Sequence, residues 1–355
     1  MTGSGALRTP ICDLFGIDVP IVQTGMGWVA GPRLVSATAA AGALGILASA
    51  TMTYDELADA IREVKSRTDQ PFGVNLRADA EDAAERVELL VRENVQVASF
   101  ALAPNERQIK TLKDAGVRVV PSIGARRHAE KVAAWGVDAV IVQGGEGGGH
   151  TGAVATTLLL PQVVDAVDIP VIAAGGFFDG RGLVAALAYG AAGVAMGTRF
   201  LLTRDSTVPE SVKEYYVGRT VADTVVTARI DGVPHRVLRT EFVDELEQAS
   251  SVRAVTRAVR NAFAFKKMSG VSWRGMLREG VAMKREGDLK WTQVILAANT
   301  PMLLRAGLVE GRLDAGVLSS GQAAGVIDDL PTVAELVARI MSEAEQTLKQ
   351  LGELA

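Results

Sequence analysis

The amino-acid sequence predicts an α/β protein, a closed (β/α)8 barrel of the TIM type with a helical lid inserted before the C-terminal helix. Eight short apolar runs recur within about 180 residues, and stretches with apolar residues at helical spacing lie between them. Continuous apolar strands separated by helices indicate a parallel sheet that helices cover. A count of eight favours a closed barrel over an open Rossmann sheet, which is the alternative.

The predicted strands follow one another along the first 200 residues. They are the segments VPIVQTG (19–25), LGILAS (44–49), FGVNL (72–76), VQVASFAL (95–102), VRVVPSIG (117–124), DAVIVQGG (138–145), IPVIAAGG (169–176) and AGVAMGTRF (192–200). Amphipathic helices are predicted between them, for example in TYDELADAIREVKSRT and DAAERVELLVREN. The carboxyl ends of all eight strands meet at one mouth of such a barrel, where active sites are built.

The alternation of strands and helices stops after the eighth strand. Residues 206–216 predict a helix, DTVVTARIDGVPHRVLRT predicts a hairpin about an Asp-Gly turn, and residues 241–286 are helical and charged. DDLPTVAELVARIMSEAEQTLKQL predicts one long amphipathic helix that packs back on the barrel. We therefore assign residues 1–217 and 311–355 to the barrel and residues 218–310 to a mainly helical lid.

Composition narrows the classes of partner. A net charge of −4 argues against nucleic acid or an anionic membrane, because both attract basic surfaces. No segment has the pattern of a signal peptide or a membrane helix, so we expect a cytoplasmic protein. Cys12 is the only cysteine, which excludes an intrachain disulfide and a cysteine zinc site and favours a buried residue. We expect no metal.

Glycines follow the last two predicted strands. Gly175 and Gly176 end strand seven, and Gly197 and Thr198 end strand eight. In barrels of this type the loops after these strands frequently bind phosphate through bare backbone N–H groups and a helix N-terminus. Either pair alone also suits an ordinary tight turn. Both pairs at the two expected places predict a phosphate site.

Uncharged polar side chains end four other strands. Thr24, Asn75, Ser122 and Gln143 offer hydrogen-bond donors and acceptors without net charge. Such a set suits a flat heteroaromatic ring next to the phosphate. A flavin fits this description.

The stretch IVQGGEGGGHTG (141–152) combines six glycines with one of the three histidines. We expect its backbone to approach a ligand closely. His150 is the candidate catalytic residue, because a neutral imidazole exchanges a proton near pH 7. His128, at a helix start, and His235, in the hairpin, are expected to be solvated or structural. Glu146 is expected to be a structural cap.

Several segments occur in the order and spacing of one enzyme family: PIVQTGMGWVAG, FGVN, PSIG, VQGGEGGGHTG, VIAAGGFFDGRG, GVAMGTRF and, near the C-terminus, GVLSSGQAAGVIDDLP. By these segments the chain resembles the nitronate monooxygenase (formerly 2-nitropropane dioxygenase) family of FMN-dependent barrels. That family also contains FMN-dependent enoyl-thioester reductases. Its members usually carry Ala where this chain has Gly147.

The resemblance implies a bound FMN and a catalytic role for His150. It implies that the FMN phosphate lies at the two glycine pairs and that the ring lies against the residues of the other strand ends. The implied FMN-binding residues are Thr24, Gly25, Met26, Asn75, Ser122, Gln143, Gly148, Gly175, Gly176, Phe177, Gly197 and Thr198.

Within the family, QTGMGWVAG, SFALAP, GGEGGGHTG, AAGGFFDGRG and AANTPMLL are most similar to actinobacterial members that act in steroid-ring degradation. This resemblance implies a flavin- and NAD-dependent dehydrogenase of a bicyclic hydroxy-indane carboxyl-CoA. On this hypothesis His150 accepts the alcohol proton while a hydride leaves for the flavin, and NAD reoxidises the flavin.

A CoA thioester needs cations for its phosphates. The candidate substrate residues are Trp28, Arg199 and Arg229, and further cations near the mouth or lid are Arg204, Arg236, Arg239, Lys266, Lys267 and Arg274. Three alternatives stay open: a nitronate monooxygenase that uses O2, an enoyl-thioester reductase, and a flavin-free barrel that binds phosphorylated metabolites. The sequence also leaves open whether the lid forms a homodimer contact.

Overall fold

The computed structural model describes residues 7–101, 103–248 and 299–354. Its strands are β1 Ile21–Gln23, β2 Leu44–Ala48, β3 Phe72–Leu76, β4 Val97–Phe100, β5 Arg118–Ile123, β6 Val140–Gln143, β7 Gly149–His150, β8 Val171–Ala174, β9 Gly193–Met196, β10 Thr224–Thr227 and β11 His235–Leu238. Strands β1 to β6, β8 and β9 form a closed barrel of parallel strands, in chain order. The predicted (β/α)8 barrel is confirmed, and each predicted apolar run contains one barrel strand.

The helices of the described residues are α1 Pro10–Phe15, α2 Pro32–Ala40, α3 Tyr54–Arg67, α4 Ala83–Arg92, α5 Glu106–Asp114, α6 Arg126–Ala134, α7 Thr156–Val164, α8 Gly180–Ala188, α9 Thr198–Leu201, α10 Glu210–Tyr216, α11 Glu241–Gln248, α12 Asn299–Leu308 and α13 Val333–Gly352. Short 3-10 helices cover Val221–Asp223 and Gln322–Val326. The helix predicted over 206–216 begins only at Glu210, because Pro209 precedes it as the N-cap.

The barrel strands are buried because both of their faces are covered. One apolar cluster joins the strand residues Val22, Ile46 and Ile172 with Ile11 and Cys12 of α1. Helix α1 therefore belongs to the same core as these strands, and the predicted burial of Cys12 is confirmed. A larger cluster packs the strands against the outer helices. Such a two-sided core holds the mouth residues on rigid elements.

The predicted hairpin is present as β10 and β11, which pair antiparallel with Thr227 opposite His235. Its turn contains Asp231 and Gly232, as predicted. Strand β7 adds to the free edge of β11, with His150 opposite His235. This third strand, which the sequence did not predict, ties the glycine-rich loop to the hairpin.

The assignment of 218–310 to a mainly helical lid stays a prediction. The described part of that range holds β10 and β11 as well as the helices α11 and α12. The helical pattern of 241–286 is matched over Glu241–Gln248, and its remainder lies outside the described residues. The candidate cations Lys266, Lys267 and Arg274 lie outside them too.

The C-terminal helix α13 returns to the barrel, as expected. Thr332 and Glu335 form a capping box at its start. The carboxylate of Glu343 accepts from the backbone N–H of Gly180 at 2.9 Å, so α13 lies against the start of α8. Among the described residues, no helix combines the length and apolar character needed to cross a bilayer.

Candidate active site

The ends of the first and last barrel strands lie side by side at the mouth. The backbone N–H of Thr24 donates to the carbonyl of Met196 at 3.2 Å. A Cβ at Gly197 would lie 3.1 Å from Thr24 Oγ1 and 3.4 Å from Met26 Sδ. Closure of the barrel thus brings Thr24, Met26 and Gly197 together, as their predicted shared role requires.

Asn75 at the end of β3 is held by its neighbours. Its Nδ2 donates to Ser99 Oγ at 3.3 Å. Gly25 lies directly against it, since a Cβ at position 25 would come within 2.5 Å of Asn75 Cβ. Ser122, on β5, is half-buried. The predicted neutral polar residues therefore lie at the carboxyl ends of β1, β3, β5 and β6, and Ser99 is a supporting residue that the sequence analysis missed.

Gly175 and Gly176 form a turn that other residues rarely adopt. Their φ angles of 96° and 85° lie in the left-handed region, where a Cβ is strained. Asp179 caps the following helix α8 by accepting from the N–H of Gly182 at 2.8 Å. A phosphate here would be held by the glycine backbone and not by the first turn of α8, because that turn already carries a carboxylate.

Thr198 and Gly148 both contact the C-terminal segment. The N–H of Gly321 donates to Thr198 Oγ1 at 2.9 Å, which leaves the threonine hydroxyl hydrogen for another acceptor. A Cβ at Gly148 would lie 2.5 Å from the Gly321 nitrogen and from the Ser320 carbonyl carbon. Packing within the protein thus already requires a glycine at position 148, and the contact of this loop with FMN stays a prediction.

Gln143 and Gly147 are matched to one another. Gln143 Nε2 donates to the backbone carbonyl of His150 at 2.8 Å. A Cβ at Gly147 would lie 2.6 Å from that nitrogen and 2.8 Å from Gln143 Cγ. An alanine at position 147 would therefore displace the Gln143 side chain, so Gly147 is a packing requirement of this chain.

Glu146 is structural, as expected. Its carboxylate accepts from the Thr156 N–H at 3.0 Å and from Thr156 Oγ1 at 2.7 Å. Thr156 begins α7, so Glu146 satisfies a free donor at the start of that helix and adds a favourable negative charge there.

His150 is bound to a buried carboxylate. Its Nε2 lies 2.6 Å from Asp231 Oδ2. The Asp231 side chain is 4% exposed, whereas that of His150 is 56% exposed. Asp231 also accepts from Thr300 Oγ1 at 2.7 Å and from the N–H of Val233 at 3.2 Å. The histidine therefore has one nitrogen anchored and its ring open to a ligand.

His235 lies behind this pair. Its residue exposure is 2%, its Nε2 lies 2.7 Å from Ser319 Oγ, and its Nδ1 lies 3.7 Å from Asp231 Oδ2. Its ring meets that of His150 edge-on, with centroids 4.8 Å apart. His235 is thus a buried member of the site, and the expectation of a solvated or structural residue holds only in its structural part.

Asp231 and His235 are both buried and both have a lowered pKa, but they differ in charge at neutral pH. Burial by itself raises the pKa of Asp231, but hydrogen bonds from His150 and Thr300, together with the nearby His235 ring, outweigh it and hold the pKa well below its usual range. Burial lowers the pKa of His235, and the nearby carboxylate only partly offsets this. At neutral pH the site therefore holds an ionised Asp231 beside a neutral His235.

His150, Asp231 and His235 are residue types that bind divalent metals, and their nearest ligand atoms lie within 4.8 Å of one another. The Asp231 oxygens already accept hydrogen bonds from His150, Thr300 and Val233. Hydrogen bonding thus satisfies the carboxylate, and the arrangement resembles an oriented acid–base histidine more than a metal centre.

Trp28, a predicted substrate residue, has an unusual backbone. Its φ of 66° is in the left-handed region, which bulky residues rarely adopt outside functional sites. Its Nε1 donates to the carbonyl of Pro301 at 3.0 Å. A cavity of about 290 Å³ opens beside it, lined by Trp28, Val29, Met52, Glu56 and Thr207, among others. Trp28 thus connects the first strand-end loop to α12.

Arg199 does not have its predicted substrate role. Its side chain is 3% exposed and pairs with Asp329 at 2.8 Å, and it also donates to the carbonyl of Leu202. Burial lowers the pKa of Arg199 without leaving it unpaired. It is a structural cation because all of these contacts are internal. Arg229 is exposed, so a substrate role for it stays a prediction.

Three further candidate cations and Phe177 have the following positions in the structure. Arg236 donates to the carbonyl of Gly145, and Arg239 pairs with Asp244, so both have internal partners. Arg204 is exposed. Phe177 is half-buried and packs against the main core.

The sequence model of nitronate monooxygenases matches residues 8–343 of the chain. The chain belongs to the nitronate monooxygenase family. A protein of Mycobacterium tuberculosis named (3aS,4S,5R,7aS)-5-hydroxy-7a-methyl-1-oxo-octahydro-1H-indene-4-carboxyl-CoA dehydrogenase is 66% identical over 98% of this chain and 99% of its own length. The protein of the same name from Rhodococcus jostii is 63% identical over 98% and 99%.

Solved structures of family-like barrels agree with this assignment. FabK from Thermotoga maritima superposes with a TM-score of 0.83 and 35% identity, covering 99% of this chain and 100% of its own. A nitroalkane oxidase from Streptomyces ansochromogenes superposes with a TM-score of 0.75 and 27% identity, covering 96% and 99%. The family resemblance inferred from the sequence is confirmed over almost the whole chain.

Proposed function

We propose that this member of the nitronate monooxygenase family is an FMN-dependent dehydrogenase. In this proposal it oxidises the hydroxyl group of a bicyclic indane carboxyl-CoA thioester in steroid-ring catabolism, with NAD as electron partner. The observation that carries the proposal is the identity of 63–66% over nearly the full length of two proteins named for that activity.

The residues at the mouth fit a flavin mononucleotide. The left-handed turn at Gly175 and Gly176 leaves bare backbone for a phosphate, and Thr198 keeps its hydroxyl hydrogen for a phosphate oxygen. Asn75 on β3 and Gln143 on β6 provide hydrogen-bonded amides at the carboxyl ends of two barrel strands, which suits the polar edge of a flavin ring. The bound flavin would supply a hydride acceptor.

The chain's own contribution to the reaction is proton transfer and positioning. In the oxidation the O–H bond of the substrate hydroxyl breaks and His150 accepts the proton. The hydrogen on the carbon that carries this hydroxyl leaves as hydride, and a ketone forms. The open ring of His150 is suited to this contact because its other edge is anchored on Asp231. Positioned acid–base catalysis of this kind contributes about 10² to 10⁴ in rate.

Trp28 and Arg229 are proposed to meet the substrate. The cavity beside Trp28 is mostly apolar and suits carbon skeleton or pantetheine. The exposed guanidinium of Arg229 follows β10 and lies two residues from Asp231 in the hairpin, so it is available to a CoA phosphate. We further propose a cytoplasmic enzyme.

A second candidate function is the reduction of an enoyl thioester, because the resemblance is to a family that also contains FMN-dependent enoyl-thioester reductases. The family's own name favours a third, nitronate oxidation with O2. All three use the same flavin, and they differ in which compound gives electrons to it and which takes them away.

An anaerobic spectral titration of the purified, FMN-loaded protein separates these functions. We expect the visible absorbance of the oxidised flavin to bleach when the hydroxy-indane carboxyl-CoA is added and to return when NAD is added. Bleaching by a nitronate but not by the CoA thioester would overturn the proposal. Reoxidation of the NADH-reduced flavin by an enoyl thioester alone would establish the reductase.

A further inference from the structure

We propose that Asp231 is a positioning residue that fixes His150 in one tautomer, so that Nδ1 of His150 is the atom that receives the substrate proton. The inference rests on the proposed function and assigns a proton-accepting atom within it. It starts from the 2.6 Å contact between His150 Nε2 and Asp231 Oδ2.

The ionised carboxylate determines which nitrogen carries hydrogen. Asp231 is buried and accepts from two other donors, Thr300 Oγ1 and the N–H of Val233. An ionised carboxylate only accepts hydrogen bonds, so the nitrogen of His150 that faces it must be the donor. A neutral imidazole with hydrogen on Nε2 has its lone pair on Nδ1. Nδ1 has no partner within the described part of the chain, and it is therefore the available base.

His235 supports this orientation from the other side. Its ring packs edge-on against His150 at 4.8 Å and restricts rotation of that ring. The register of β7 with β11 sets the two histidines opposite each other. Because burial keeps His235 neutral, it adds no positive charge that would oppose protonation of His150. Among the described residues, Asp231 and His235 are the titratable groups in contact with His150.

The charge of Asp231 then acts after proton transfer. The substrate O–H bond breaks and an Nδ1–H bond forms, which makes His150 a cation 2.6 Å from an anion. The carboxylate stabilises this cation without taking the proton, in the way of a catalytic triad. The electron pair of the C–H bond leaves with the hydride to the flavin named in the proposed function.

Asp231→Asn tests the role of the carboxylate with little change in shape. The amide oxygen still accepts from the Val233 N–H, while the amide nitrogen replaces the oxygen that His150 and Thr300 share. That nitrogen donates to His150, which selects the opposite tautomer, and its second hydrogen is available to the Thr300 hydroxyl oxygen. We expect flavin reduction by substrate to slow about 10²- to 10⁴-fold, with unchanged FMN affinity. We also expect His150 of this variant to be the Nδ1–H tautomer in ¹⁵N-histidine spectra, because the amide nitrogen donates to Nε2.

Thr300→Val is the matched control, since it removes another hydrogen bond to the same oxygen but leaves the carboxylate. We expect it to slow reduction less than about 10-fold and to keep the Nε2–H tautomer of His150. A full rate and an unchanged tautomer in Asp231→Asn would overturn the proposal. So would a control that matches Asp231→Asn in both readouts, because the effect would then be structural.

A measurement on the wild-type protein does not depend on the variants folding. In ¹⁵N-histidine spectra at neutral pH we expect His150 to be the Nε2–H tautomer, and the Nδ1–H tautomer would overturn the proposal. The tautomer also separates this inference from the proposed function. Failure of the CoA thioester to reduce the wild-type flavin would refute that function, yet would leave the tautomer and its dependence on Asp231 unchanged.

Discussion

His150 Nε2 and Asp231 Oδ2 lie 2.6 Å apart although 81 residues separate them in the chain. The contact joins the loop after β6 to the turn of the β10–β11 hairpin. It depends on a two-residue strand, β7, that pairs with β11. The candidate site is therefore shared between the barrel and the segment that follows it.

Gly147→Ala is expected to weaken FMN binding. A Cβ at this position would lie 2.6 Å from Gln143 Nε2, so the amide must move and lose its bond to the His150 carbonyl. Loss of one such bond corresponds to about a 10-fold increase in Kd, measured by flavin fluorescence titration. Gly152→Ala in the same loop is the control, because its nearest neighbour would be 4.0 Å away. Equal affinities in both variants would contradict the prediction.

Gly176→Ala is expected to lower both stability and FMN affinity. Its φ of 85° makes an alanine strained, which costs on the order of 1 kcal/mol in the free energy of unfolding. Gly116→Ala carries the same strain at φ 80° in the turn before β5, with nothing within 4 Å of the added Cβ. We expect equal shifts of the urea midpoint in the two variants but weakened FMN binding only in Gly176→Ala. Unchanged FMN affinity in Gly176→Ala would contradict the phosphate site, and an equal loss in Gly116→Ala would attribute the effect to strain alone.

Substitution of Arg199 is expected to change stability, whereas substitution of Arg229 is expected to change the KM for the substrate. Arg199→Met removes a buried ion pair to Asp329 and should lower the free energy of unfolding by about 2 kcal/mol, without changing the KM for the CoA thioester. Arg229→Ala should leave stability in place and raise that KM about 10-fold. Urea unfolding and steady-state kinetics measure the two effects. An increase in KM for Arg199→Met alone would restore its predicted substrate role.

Stability is expected to fall below about pH 6.5, the ordinary pKa of histidine, in part because of His235. Burial lowers the pKa of His235 in the folded protein, so the unfolded chain binds a proton first as the pH falls. The free energy of unfolding then decreases by at most about 1.4 kcal/mol per pH unit from this group. His235→Asn should flatten the profile between pH 7.5 and 5, these limits being approximate. The exposed His128→Asn should not, and equal profiles would contradict the assignment.

The barrel could be predicted because its information is local. Each barrel strand is an apolar run and each helix has its own spacing, so the order of the eight barrel strands can be inferred without knowledge of contacts. The same holds for Gly175 and Gly176, whose position after a strand predicts a turn. The hairpin was predicted from its Asp-Gly turn, which contains Asp231 itself.

The partners of His150 could not be predicted because they depend on tertiary contacts. His150 contacts Asp231 and His235, which in turn bond Thr300 and Ser319. These four residues come from three segments distant from the glycine-rich loop. The one local signal was the sequence RIDGVPH, in which a carboxylate and a histidine flank a tight turn. Arg199 was assigned to the substrate because its ion-pair partner, Asp329, lies 130 residues away and could not be inferred from the local sequence.

The most direct test of the proposed chemistry is anaerobic rapid mixing of FMN-loaded His150→Ala with the hydroxy-indane carboxyl-CoA. We predict that the variant binds FMN as the wild type does but that the rate of flavin reduction falls about 10²- to 10⁴-fold. Flavin reduction by His150→Ala at the wild-type rate would contradict a proton-accepting role for this residue.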